Sequence, residues 1–139
     1  MGWFFWSLLS ALFASATAIL AKIGVAEIDS NLATAIRTVV ILLFASAVAA
    51  YTNSGVGLRA VSGRNWLFLT LSGLATGASW LCYFRALQLG PASRVAPVDK
   101  LSVAFVLVFA WVFLGESLTP AKAIGGLLIT AGAAVLAAA

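Results

Sequence analysis

The stretch SRVAPVDKLSVAFVLVFAWVFLGESLTPAKAIGGLLITAGAAVLAA, residues 93–138, decides the fold class. Two apolar runs, 93–114 and 121–138, flank the short break Gly115-Glu116-Ser117-Leu118-Thr119-Pro120. A helix needs roughly 20 mostly apolar residues to cross the hydrocarbon core of a bilayer, and each run is close to that length. Thr119 followed by Pro120 reads as an N-cap and the first helical residue. The threonine oxygen accepts an orphan amide, and proline lacks the N–H that would otherwise be left over. Pro97 lies beyond the first turn of the earlier run. There its ring clashes with the carbonyl four residues back, which predicts a kink.

Working outward, the same pattern recurs three more times, at 3–25, 32–51 and 66–87. The connections are short: a polar turn at 27–31, the loop TNSGVGLRAVSGRN at 52–65 and the linker QLGPASR at 88–94. The loop carries Gly55, Gly57, Arg59, Gly63 and Arg64 and leaves no room for a soluble domain. Backbone inside lipid must pair internally, so the choice is helices or a closed barrel. A barrel would alternate apolar and polar residues in segments of about ten. These runs do not alternate. The expectation is an all-α integral membrane protein with five transmembrane helices, forming one domain over 1–139. An odd number of crossings puts the termini on opposite sides of the membrane.

Composition agrees. Only 9% of the residues are charged and the mean hydropathy is +1.12, whereas a soluble domain averages about 25% charged. The first run lacks a basic leader segment, and its apolar stretch from Trp3 to Val25 exceeds a signal-peptide core, so it reads as a retained helix. Trp3 and Trp6 suit an interfacial aromatic belt. Ser7, Ser10, Ala14, Ser15 and Ala18 in the first run, and Gly73 and Gly77 in the third, provide small faces for close helix packing.

The charged residues within the runs are the candidates for function, because a charge in lipid is costly and usually faces a bundle interior or an aqueous cavity. Asp99 and Lys100 follow Pro97. They serve either as a substrate or coupling site, with Asp99 able to take up and release a proton, or as headgroup-level residues of a helix that starts later. Arg37 either lines the same cavity with a permanent positive charge or snorkels to the interface. Trp80 and Tyr83, three residues apart on one face, form an aromatic wall beside Arg85 for an organic solute, or plain interfacial anchors. Lys22 faces a vestibule or snorkels. Glu116 reads as structural, its carboxylate close enough to the Thr119 cap to accept freed amides of the last helix.

Three stretches carry a family resemblance. Gly73 to Leu89 is a glycine-bearing third helix ending in Tyr83-Phe84-Arg85-Ala86-Leu87. Ala92 to Pro97 is a small-residue lead into a helix-four proline. Phe113-Leu114-Gly115-Glu116-Ser117-Leu118-Thr119 precedes Gly125 and Gly126 in the last helix. In this order and spacing the chain resembles a single EamA domain of the drug/metabolite transporter superfamily. The resemblance implies a secondary transporter of a small organic metabolite in a bacterial or archaeal cytoplasmic membrane, with pore-facing residues along helix four. Most members of the family carry two such domains in tandem. It therefore implies that two copies assemble, each as half of a ten-helix carrier; the related small multidrug resistance proteins are antiparallel dimers of half-size units.

The charge count bears on orientation. With the N-terminus in the cytoplasm, Arg59, Arg64 and Lys122 lie inside, and Lys22, Arg85, Arg94 and Lys100 outside. Basic residues favour the cytoplasmic side. The near balance permits insertion both ways and hence an antiparallel homodimer, a plan that other carriers realise with inverted repeats.

Other classes find no support. The chain has no His, no clustered acids and no nucleophile–base pair for an enzyme. Its one cysteine cannot build a disulfide framework or a thiolate metal site. It lacks the phosphate-binding G-x-x-x-x-G-K-[ST] motif, so energy must come from a gradient, with protons the candidate ion. No cofactor is expected. The basic residues are too scattered for nucleic acid, and the excess of basic over acidic residues leans toward an anionic or zwitterionic solute. The alternative is an accessory or heterodimer-forming subunit without transport activity of its own.

Overall fold

The computed structural model describes residues 2–52, 57 and 61–139. The helices are α1 (Trp3–Gly24), α2 (Ser30–Thr52), α3 (Gly63–Leu89), α4 (Ala92–Asp99), α5 (Ser102–Leu114) and α6 (Pro120–Ala138). With α4 and α5 taken together as Ala92–Leu114, they make 5 segments long and apolar enough to cross a membrane. The loop residues Gly55 and Arg59 lie outside the described residues.

Local chemistry explains where the helices begin and end. Asp29 caps α2: its Oδ1 accepts the Asn31 amide at 2.9 Å and the Leu32 amide at 3.0 Å. Ser62 caps α3 by accepting the Asn65 amide at 3.2 Å, so this helix starts three residues before the apolar run itself. Thr119 caps α6, its Oγ1 accepting the Lys122 amide at 3.3 Å, with Pro120 in the first position. Gly115 ends α5 in the left-handed conformation, φ 68°, which an L side chain would oppose. The Glu116 amide then closes back on the Ala110 carbonyl at 3.1 Å.

The fourth span departs from the continuous helix 93–114 read from the sequence. Pro97 sits inside α4, and the break falls just beyond it, at Lys100 and Leu101. There the Lys100 amide reaches Pro97 and the Leu101 amide reaches Val98, each three residues back instead of four. The same tight spacing continues from Val103 to Lys100 and from Ala104 to Leu101. Asp99 and Lys100 therefore stand at a discontinuity, not within a regular helix.

The described residues form two compact units: α1 up to Lys22 together with Leu89–Ala139, and Ile23–Gln88. In the first unit α6 packs against both α4 and α5. A β-carbon on Gly126 would stand 2.8 Å from Leu107 Cδ1, so the glycine is what lets α5 and α6 approach here. The obstructing atom ends a flexible side chain. Gly126→Ala should therefore be tolerated after a rotamer change at Leu107, whereas Gly126→Leu should overpack the contact and cost roughly 1–3 kcal/mol. Thermal unfolding in detergent checks this, with a clear drop in Tm expected for the leucine variant alone. Among the described residues nothing lies within 4 Å of a β-carbon built on Gly73 or Gly77.

The second unit has a small core at one end. Val25, Ala33, Phe84 and Leu87 are buried there beside Ser30 and Thr34. Elsewhere the spans are bare: the apolar windows of the five are 0–11% buried. Phe44 and Leu127, for example, are 71% and 69% exposed. Lipid or further helices must cover such surfaces.

Candidate functional site

Arg37 lies on α2 near the end that carries the Asp29 cap. Its Cζ stands 4.4 Å from the centroid of the Trp80 ring and 5.4 Å from that of Phe84, both on α3. Tyr83 is close enough to interact with it electrostatically. Trp80, Tyr83 and Phe84 fall three and four residues apart, so the helical period gathers their rings on one side of α3. A guanidinium over an aromatic face gains about 0.5–2 kcal/mol, depending on its desolvation.

The ring contacts leave the guanidinium's donors unused. Among the described residues the ion pairs are Lys100–Asp99 and Lys122–Glu116, and no hydrogen bond involves Arg37. Five N–H donors in a planar fork are therefore available to an oxoanion. An arginine stacked on a ring keeps its edge free for a bidentate carboxylate.

The aromatic wall does not stand beside Arg85 as the sequence suggested. The helical period turns position 85 away from the Trp80 side. Arg85 instead donates from Nη1 to Gln88 Oε1 at 3.1 Å. Gln88 in turn donates from Nε2 to the carbonyls of Val25 at 3.2 Å and Ile28 at 2.7 Å. This clasp ties the end of α3 to the turn before α2. Gln88→Leu should cost roughly 1–3 kcal/mol, chiefly by leaving the part-buried Val25 carbonyl unpaired. The same unfolding measurement reads this as a lowered Tm.

Asp99 and Lys100, in the other unit, pair with each other at 3.1 Å at the break between α4 and α5, with side chains 36% and 57% exposed. Pro97 sits two residues earlier. Lys22 donates from Nζ to the Gly90 carbonyl at 2.9 Å, tying the end of α1 to the linker before α4. Glu116 differs from its sequence reading. Its carboxylate lies 3.5 Å from Lys122 Nζ, while Thr119 takes the cap amide. Lys122 Nζ also reaches the Ser117 carbonyl at 2.9 Å, so Glu116 and Lys122 brace the α5–α6 turn by charge instead of by capping.

Sequence reasoning passed over Asp29, Phe84 and Gln88 as contributors to these contacts. Two of them left a signal. An aspartate before a helical run is a capping residue, and Phe84 falls four residues from Trp80. Gln88 left none, because its partners are carbonyls of a turn some sixty residues earlier.

A family model for EamA-like transporters matches residues 1–138. The chain belongs to the EamA-like transporter family. It is 57% identical over 135 residues, 97% of this chain and 96% of the relative, to a Sinorhizobium sp. protein described as an "uncharacterized transporter in cobO 3'region". No solved structure gives a significant match. As a member of this family the chain is a transporter and not an enzyme, a multi-pass integral membrane protein that serves secondary transport of small molecules through a bundle of helices. The relative's bacterial source agrees with a cytoplasmic-membrane location.

Proposed function

We propose that the chain is a proton-coupled secondary carrier for a small organic solute, anionic or zwitterionic. It works by alternating access as an antiparallel homodimer in which each copy supplies one five-helix domain over 1–139. The observation that carries this reading is Arg37, a permanent cation on a spanning helix, seated on Trp80 and Phe84 with its hydrogen-bond donors unused among the described residues.

In this reading Arg37 binds a carboxylate of the solute, and Trp80 with Tyr83 faces its organic part. Asp99 carries the coupling proton. Protonating it releases Lys100 at the point where the fourth span is already discontinuous. An exposed ion pair is worth about 0.2–1 kcal/mol, little enough for it to open and close in each cycle. The relative, a transporter by its description, is nearly the same length as this chain, which supports assembly from copies over a tandem repeat.

The test is uptake by the purified chain alone in proteoliposomes with an imposed proton gradient, offering organic acids, amino acids and small organic cations. Gradient-driven uptake of an acid or amino acid, and none of the cations, is expected. No uptake of any of them would contradict the proposal and favour an accessory subunit that needs a different partner.

A further inference from the structure

Asp29, Ser30, Asn31, Leu81, Cys82 and Arg85 line an open groove of about 530 Å³ between the start of α2 and the last turns of α3. All six belong to the unit Ile23–Gln88. The size falls within the roughly 300–1,000 Å³ of small-molecule sites. Its walls bring together a carboxylate and a guanidinium that are not within ion-pair distance of each other.

Each charged group is held in place by one part and leaves another free. Asp29 Oδ1 accepts the two amides at the start of α2, which fixes the carboxylate, and Oδ2 makes no hydrogen bond among the described residues. Arg85 is oriented through Nη1 on Gln88 Oε1, and its Nη2 and Nε donors make no hydrogen bond among the described residues. Asn31 adds a polar amide and Leu81 an apolar wall. A free acceptor of negative charge and a free donor fork of positive charge across one cleft match a molecule carrying an ammonium and an oxoanion together. A simple anion would meet the uncompensated Asp29, and a simple cation would meet Arg85.

We infer that this groove is a binding site for a zwitterion, with Asp29 taking its ammonium and Arg85 its carboxylate or phosphate. An α-amino acid has this chemistry, and so does a phosphatidylethanolamine headgroup. Neither the groove nor its ligand depends on the transport role of Arg37. For an amino acid, the assignment deepens the transport reading by choosing the zwitterion over the anion.

Cys82, the single cysteine of the chain, is exposed and lines the groove, so it reports occupancy directly. The experiment measures the rate of Cys82 alkylation by N-ethylmaleimide in the full chain, reconstituted in vesicles of phosphatidylglycerol alone. L-alanine should slow alkylation at least several-fold, while acetate and ethylammonium at the same concentration should not. A second arm adds phosphatidylethanolamine to the vesicles without alanine. Slowing by alanine assigns the site to a free solute, slowing by the lipid alone assigns it to a headgroup, and either result supports a zwitterion site. Asp29→Asn, which keeps the helix cap because asparagine caps as well as aspartate, and Arg85→Gln should each abolish the slowing. Arg85→Lys should retain part of it. Slowing by acetate or ethylammonium equal to that by alanine, no slowing by any probe, slowing that survives both charge-removing variants, or a thiol that does not react at all would each overturn the assignment. Because alkylation is read without transport, a failure here leaves the Arg37 proposal standing, and the reverse holds too.

Discussion

Arg37→Gln raises the KM for the transported solute roughly 10- to 100-fold. Hydrogen bonds to charged groups contribute about 1.5–3 kcal/mol, and each 1.4 kcal/mol is about tenfold in affinity. Glutamine keeps much of the side-chain length and some hydrogen bonding but removes the charge and the fork. Arg37→Lys restores the charge without the planar, bidentate edge, so its KM falls between the two. Trp80→Ala removes the ring beneath the guanidinium and gives a smaller increase, since the cation and its donors persist. Helix content by circular dichroism and elution in detergent should be unchanged in all of them, because Arg37 makes no hydrogen bond or ion pair among the described residues. A wild-type KM in Arg37→Gln would remove Arg37 from the site.

Asp99→Asn abolishes accumulation of solute driven by a proton gradient while leaving exchange of solute across the membrane intact. Asparagine matches aspartate in shape and cannot lose or gain a proton at neutral pH. The substitution breaks the pair with Lys100, which the structure places at 3.1 Å on an exposed surface. Such pairs contribute about 0.2–1 kcal/mol, so the protein should fold as before. Uptake is measured with and without a pH difference across proteoliposomes. The wild type should accumulate solute above the external concentration, and Asp99→Asn should reach only equilibrium. Accumulation equal to wild type in the variant would show that the coupling proton travels elsewhere.

The membrane class and the five spans were legible because lipid imposes length and apolarity on every crossing, and no loop here is long enough to confuse the count. The caps at Thr119 and Pro120 were legible for the same kind of reason: one residue each satisfies a known backbone need. The break at Lys100 was half legible. Pro97 announced a disturbance, but its position depended on how the amides after it re-formed, toward carbonyls three residues back. The third helix shows the limit most clearly. Its period puts Trp80, Tyr83 and Phe84 on one side and Arg85 on another, and that much can be counted from the sequence. Which cation would meet those rings could not. Arg37 comes from a different helix, and its approach depends on the buried contacts of Val25, Phe84 and Leu87 and on the Gln88 clasp. Gly73 and Gly77 were read as a packing face and find no partner among the described residues, whereas Gly126, one of many small residues in its helix, meets Leu107. Small residues permit a close approach but do not say which face will be used.

Counterflow tests the account most directly. Proteoliposomes holding only the purified chain are loaded with an unlabelled organic acid or amino acid found in the uptake experiment, then diluted into a trace of the labelled solute with no ion gradient. Unlabelled solute inside rebinds a carrier that has delivered label, returning it outward-facing and competing with the label for exit, so the label should enter faster than into unloaded vesicles and transiently exceed its external concentration. Arg37→Gln should remove most of this overshoot at the same solute concentration. Label that enters at the same rate with and without internal solute would contradict a carrier mechanism, and no entry at all would mean that this chain does not transport on its own.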